Sequence, residues 1–381
     1  MTSRLVVNSI RHTGSSSDAV TLASDGTCTA NITNNLSNRN LIINGAMQVA
    51  QRGTSSTTNG YGSVDRFRVF YTGVDENPTQ EQADVASGTT PYTLGFRKCL
   101  KVTNGNQTGG AGAADYIIIR QTIEAQNLAN SGWNYVSASS NITFSFWVKS
   151  SVAQNFYGNL WSQDGTEQNY IFETGSLSAN TWTKVTKTIP GNSNLTFNND
   201  TGAGLRVQLV PFYGTDKTGS VSLNTWAAYS GSTVQPDNTS TWYTTNDATL
   251  EITGVQFEVS DHATDFEHRS YNDEYLKCCR YYQSTTTVPN GSAYNAMAGR
   301  GGTTFVQCAS AGFKTLMRAN PTTIIYNGTD SNKVRSSGGA NVTLNSPTVY
   351  GMPHGVNAIA VSSGLSDGEW YQFNYTCDAE L

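Results

Sequence analysis

Aromatic rings set beside amide and hydroxyl groups are the side chains of this sequence best suited to a chemical task. The segment from Gly214 to Asp247 is long, polar and irregular, and it carries Trp226, Tyr229, Trp242 and Tyr243. Sugars lay their apolar ring faces on such aromatics and hydrogen-bond to neighbouring Asn, Asp and Gln. A long loop with its own aromatic residues is commonly a functional one. A second, weaker grouping is Trp161 with Tyr170, around the Asp164-Gly165 turn. These six residues are the candidate glycan contacts. The competing expectation for each Trp is that it covers a sheet face or fills a subunit seam.

Other chemistries find less support. Glycosidic cleavage needs two carboxyl groups across one bond. The available pairs are Asp164 with Glu167 on a turn, and Glu251 with Glu258 on either side of Gly254. No motif marks either pair, so no catalytic residue is assigned. His12, His262, His268 and His354 are scattered and build no triad or ligand set. Cys28, Cys99, Cys278, Cys279, Cys308 and Cys377 lack the CxxC spacing of a zinc site and are expected to be buried free thiols. Asp65, Asp115, Glu124 and Asp247 are oxygen ligands of the kind calcium takes, but no spacing selects them. No metal and no cofactor are expected.

The elements that hold these residues read as strands. Charged residues make up only 13% of the 381, and hydrophobic ones 37%, with 19 Tyr and 7 Trp. Ile142, Phe144, Phe146 and Val148 alternate with polar neighbours and with Trp147, which predicts a strand buried on one face. Similar runs are expected at 67–71, 100–102, 116–123, 156–161, 169–173, 183–189, 205–211 and 250–259. In the last of these, Leu250 and Ile252 fall on opposite parity from Val255, Phe257 and Val259, so Gly254 must absorb a bulge residue. Ser270, with Asp273 three residues on, caps one short helix near 270–283, whose stripe is Tyr271, Tyr275, Cys278 and Tyr282. Cys278 and Cys279 are expected on different faces of it.

The expected fold is all-β: an antiparallel, jelly-roll-like sandwich over 41–284, with a smaller β domain over 285–381 and a β unit over 1–40. In the smaller domain, 303–308, 321–326 and 371–377 read as strands, and the Gly-rich stretches 298–302 and 338–340 as turns. The first unit has strands around Leu5-Val6-Val7 with Ile10, at Val20 with Leu22, and from Thr27 to Ile32, turning at Asp25-Gly26. Three short strands cannot bury a sufficient core, so this unit is expected to dock on another chain or on copies of itself. Net charge is −5 and the pI is 5.4, with no basic run, which argues against a nucleic-acid partner. No apolar stretch is long enough to insert in a membrane.

Three blocks carry a resemblance. The first is Gly254-Val255-Gln256-Phe257-Glu258-Val259, followed by Ala263-Thr264-Asp265-Phe266-Glu267 and by Arg269, Tyr271, Glu274, Cys279, Arg280, Tyr281 and Tyr282. The second runs from Asn40 to Ser55, with Gly62-Ser63-Val64-Asp65-Arg66-Phe67 after it, and the third is Tyr375 to Leu381. Together they resemble bacteriophage tail-fibre and other virion-appendage proteins of the cyanophage and marine-phage type. Phe257, Ser260 and Asp265 depart from the family's usual Leu, Gly and Pro.

The resemblance implies a non-enzymatic virion structural protein, displayed on the particle exterior after synthesis in the host cytoplasm. Taken with the small N-terminal unit and the aromatic residues above, the expectation is a homotrimer that joins other virion tail proteins through residues 1–40 and binds a bacterial surface glycan. A head fibre, collar or adaptor protein binding other virion proteins is the alternative, and a polysaccharide-cleaving tail protein is the second.

Overall fold

The structure, a computed structural model, describes residues 6–16, 18–30, 38–285, 297–309, 312–327 and 330–381. Leu5 and Ile32, at the ends of two expected strands, lie outside the described residues. Three short strands come first, β1 (Ser9–Ile10), β2 (Val20–Leu22) and β3 (Cys28–Ala30), paired antiparallel in that order. The Asp25-Gly26 turn joins the last two, with Gly26 at φ +88° and Asp25 Oδ1 accepting from Thr27 N at 2.9 Å.

Twelve strands then form two sheets. In chain order they are β4 (Ser55–Ser56), β5 (Arg68–Thr72), β6 (Thr79–Asp84), β7 (Lys98–Thr103), β8 (Tyr116–Glu124), β9 (Asn141–Ser150), β10 (Asn155–Ser162), β11 (Gln168–Ser176), β12 (Thr183–Pro190), β13 (Ala203–Tyr213), β14 (Trp226–Ala228) and β15 (Thr249–Glu258). One sheet has the order β14-β11-β10-β13-β8-β5 and the other β12-β9-β15-β7-β6-β4, all antiparallel. The chain crosses repeatedly between them, giving a jelly-roll-like sandwich. Their inner faces meet in one apolar core that includes Ile119, Phe144, Phe146, Phe172, Leu209 and Phe257. Parity sets which residues enter it: Phe156 and Leu160 of β10 point inward, so Asn159 and Trp161 point out.

β15 closes the second sheet, and its register against β9 shifts between Thr253 and Gln256. Gly254 sits there at φ +61°, with the Phe96 ring 2.7 Å from where a Cβ would stand. The bulge switches parity, so Leu250, Ile252, Val255 and Phe257 all enter the core.

The helix spans Tyr271–Cys279, and Ser270 Oγ caps it by accepting from Asp273 N at 3.2 Å. Its buried side differs from the expected stripe. Glu274, Cys278 and Cys279 are buried while Tyr271 is exposed, and Tyr282 lies beyond the helix in a strand, Tyr282–Ser284. The reason is a polar joint around the helix that covers both cysteines. Its partners come from all three sequence blocks.

Within this joint the buried Arg66 donates to Glu380 and, at 2.7 Å, to Thr122 O. Its guanidinium lies 3.4 Å from the Tyr281 ring centroid. Arg52 reaches Asp378 at 2.8 Å and lies over Tyr282. Arg269 pairs with Glu267 at 2.9 Å and Glu274 at 2.8 Å, and Glu274 in turn accepts from Asn44 N at 2.5 Å. Arg280 donates twice to Glu124, both at 2.8 Å.

A further sheet is built on the long strand Trp370–Asp378, which pairs with Tyr282–Ser284, Met297–Gly301, Thr322–Asn327 and Lys333–Ser336. The expected turn at 298–302 is therefore largely a strand. Glycine serves close packing there: a Cβ on Gly299 would stand 2.5 Å from Val306, and one on Gly301 2.5 Å from the Tyr371 ring.

Candidate glycan-binding face

Four of the six aromatic candidates are interior. Trp242 and Tyr243 are fully buried; Trp242 packs edge-on to Phe156, and Tyr243 stacks on Phe212 at 4.2 Å and donates to Asp115 Oδ2 at 2.9 Å. Trp226 and Tyr170 are buried and face each other across β14 and β11 at 5.4 Å, with Trp226 Nε1 donating to Pro190 O at 2.8 Å. The long loop carries an edge strand and then plugs one end of the sandwich, so three of its four aromatics serve the core.

Trp161 and Tyr229 are half-buried on the outward face of the first sheet. Their rings stack at 4.0 Å with planes 5° apart, and the Arg206 guanidinium lies 4.5 Å from the Trp161 centroid. A parallel ring and a cation at these distances cannot share one face, so Trp161 is held between them.

Strand pairing places a polar array beside this stack. Trp161 is in register with Asn169 and Arg206, and Arg206 with Thr122. The next outward row runs Asn159, Gln208, Arg120, Arg68 across β10, β13, β8 and β5. Asn159 Nδ2 donates to Asn169 Oδ1 at 2.7 Å, and Asn169 Nδ2 to Val234 O at 3.0 Å. With its amide turned to suit both partners, Gln208 accepts from Arg120 Nε at 3.3 Å and Nη2 at 3.2 Å.

Among the described residues, the buried Trp161 Nε1, Asn159 Oδ1, Thr122 Oγ1 and Arg68 Nε of this face have no protein partner. Burial, then the charge of Arg206 and to a smaller extent that of Arg68, lowers the pKa of Arg120 to about 10, against the opposing effect of Tyr213. One end of the face is apolar, where Val234 of the loop packs on Ile118, Val210 and Tyr213.

Asn159, Asn169, Gln208 and Arg120 are buried, so the part of the array open to a ligand is its half-buried rim of Arg68, Arg206, Trp161 and Tyr229. Sequence reading missed its arginines and amides. Their signal is parity: Arg68, Arg120 and Arg206 each occupy the outward register of an otherwise apolar strand, but 52 and 86 residues separate them in the chain.

The acidic pairs do not converge. Asp164 holds Asn198 N and Nδ2, while Glu167 lies near Arg206. Glu251 pairs with Lys149 at 2.8 Å, whereas Glu258 accepts from Thr264 N and Oγ1. Of the oxygen-ligand candidates, Asp65 is engaged by Gln51, Asp115 by Tyr243 and Gly112, and Glu124 by Arg280 and Tyr281. His268 packs on Phe96 and Phe266, and His262 contacts Asp261. Cys99, Cys278, Cys279, Cys308 and Cys377 are buried free thiols.

The sequence matches no protein-family model and no curated protein sequence. Among solved structures, the enzymatically active domain of tailspike protein 4 of bacteriophage CBA120 overlaps 58% of this chain and 21% of its own, at 10% identity and TM-score 0.30. A putative sugar binding protein from Bacteroides thetaiotaomicron overlaps 58% of this chain and all of its own, at 10% identity and TM-score 0.29. The N-terminal cellulose-binding domain of Cellulomonas fimi beta-1,4-glucanase C overlaps 56% and 98%, at 11% identity and TM-score 0.27. These overlaps are too shallow to carry an argument about ligand, and the functional reading rests on the residues of this chain.

Proposed function

We propose that this chain is a non-enzymatic structural protein of a phage particle, a tail fibre or similar appendage, that binds a bacterial surface glycan on the outward face of its first sheet. The observation that carries the binding assignment is the half-buried rim of Arg68, Arg206 and the Trp161–Tyr229 stack, held on one sheet face above the buried polar row Asn159, Gln208 and Arg120. Placement in the virion follows the three-block resemblance. Those blocks meet in the buried joint, so they specify scaffold while the binding face lies on strands outside them.

Assembly as a homotrimer through residues 1–40 belongs to the same proposal. The N-terminal three-stranded sheet and the segment before it leave Val6, Ile10 and Leu22 exposed at 79%, 54% and 40%, as expected of an element that buries its apolar residues against another chain. Three copies multiply weak contacts, so a shallow face suffices.

The test is a printed array of bacterial lipopolysaccharides and capsular polysaccharides. Wild-type protein is expected to bind a subset of them. Trp161→Ala should weaken binding about tenfold or more, since it removes the ring that holds both Tyr229 and Arg206 in place at the rim, and loss of one such anchor is worth at least ~1.4 kcal/mol. Trp147→Ala, on the outward face of the other sheet, should leave it unchanged. Equal binding by the Trp161 variant, or loss only in the Trp147 variant, would refute this location.

A further inference from the structure

We infer that the glycan taken by this face is acidic, its carboxylate, sulfate or phosphate ester seated among Arg68, Arg120 and Arg206. This rests on the proposal above that the face binds glycan, and adds the charge of the ligand. Arg68 and Arg120 are directly paired across neighbouring strands, and Arg206 lies in the adjacent outward row. None of the three is within ion-pair distance of an acid among the described residues; Glu167 acts on Arg206 through its charge but makes no salt bridge to it. By contrast, Arg52, Arg66, Arg269 and Arg280 each meet a carboxylate.

Three guanidinium groups crowded on one sheet face repel one another, and partial burial removes the water that would screen them. Burial first, and then the charge of Arg206, lowers the Arg120 pKa. Such an arrangement is retained at a cost unless an anion completes it. The planar fork of a guanidinium matches a carboxylate, sulfate or phosphate with two parallel hydrogen bonds. Arg68 and Arg206 are both half-buried, so each is partly open to solvent, and Arg206 is already oriented against Trp161. The neighbouring amides and ring are suited to the sugar carrying the charge. A run of nucleic-acid phosphates fits poorly: the cluster is only two registers deep, its flank at Ile118, Val210 and Val234 is apolar, and the chain carries net charge −5.

Affinity electrophoresis through gels holding one polymer each tests this. The polymers are polygalacturonate for carboxylate, ι-carrageenan for sulfate, a phosphomannan for phosphate ester, neutral galactan, and poly-glutamate as an acidic polymer without sugar. Full-length protein is expected to be retarded by at least one acidic polysaccharide and to pass freely through galactan and poly-glutamate. Arg68→Gln and Arg206→Gln, both at half-exposed positions, should each weaken that retardation about tenfold or more, the worth of one charge-assisted bond. Lys187→Gln on the other sheet should not. The acidic polymer that retards identifies the anion. Retardation by galactan that survives both arginine changes overturns the acidic ligand but keeps the glycan face. Equal retardation by poly-glutamate reduces the site to a general anion trap and overturns the inference. No retardation by any polymer, together with a blank polysaccharide array, overturns both. Matching thermal melting of the variants and wild type excludes misfolding as the cause.

Discussion

Gly254 shows how one residue can decide the fate of a strand. It holds φ +61° and lies under the Phe96 ring, so a side chain there faces both backbone strain and a clash. Gly254→Ala is expected to destabilise the protein by about 1–3 kcal/mol, seen as a lower urea midpoint with unchanged slope. Arg66 is the counterpart in the joint, a buried cation whose charge is met by Glu380. The outward arginines have no such acid, which is why their replacement should affect binding while replacement of Arg66 would affect folding. The distinction between these two sets of arginines was not legible in the sequence. Within a strand, parity tells which residues share a face, but only the sheet order tells that Arg68, Arg120 and Arg206 become neighbours.

At the scale of elements, the helix Tyr271–Cys279 is fixed less by its own apolar stripe than by charges packed around it. Two carboxyls in this region respond to pH in opposite senses. Burial raises Glu124, but hydrogen bonds from Arg280 and Tyr281 outweigh it and hold its pKa below the ordinary 4.5. Its stabilising share is therefore present above that value and drains away as the pH falls through the folded-state pKa. Burial raises Asp65 to about 6 from the ordinary 3.8, despite hydrogen bonds from Gln51 and the charge of Arg52. The contribution of Asp65 is full below 3.8 and is lost as the pH rises through about 6. Unfolding free energy measured in urea should thus fall by roughly 2 kcal/mol from this group between pH 4 and pH 7. Asp65→Asn should flatten that limb, while costing about 1 kcal/mol at low pH because Gln51 Nε2 loses its acceptor. A variant with the wild-type slope would show that another group titrates there. Local elements such as the bulge and the Ser270 cap were legible because parity and capping are short-range signals. The loop from Gly214 to Asp247 was not, since it has no period, and burial of Trp242 and Tyr243 is decided by the open end of the sandwich they fill.

For the whole molecule, the unanswered physical problem is the first sheet, β1 to β3, whose strands are two or three residues long. Such a sheet lacks the apolar burial needed to persist in water by itself. With Val6, Ile10 and Leu22 exposed, covering it by copies of itself would remove that surface and hold the sandwiches together. Light scattering on the full chain is expected to give a trimer, and on a chain beginning at Asn38 a monomer with the same melting transition for the sandwich. Binding to an immobilised glycan surface should then fall about a hundredfold or more through lost multivalency, while the affinity of each face for a soluble oligosaccharide stays constant. If the shortened chain remains trimeric, assembly instead belongs to the exposed apolar residues of the later sheet, Ile324, Tyr350, Met352 and Trp370. Residues 1–40 would then lose their assembly role, because a seam built elsewhere would need no help from three short strands.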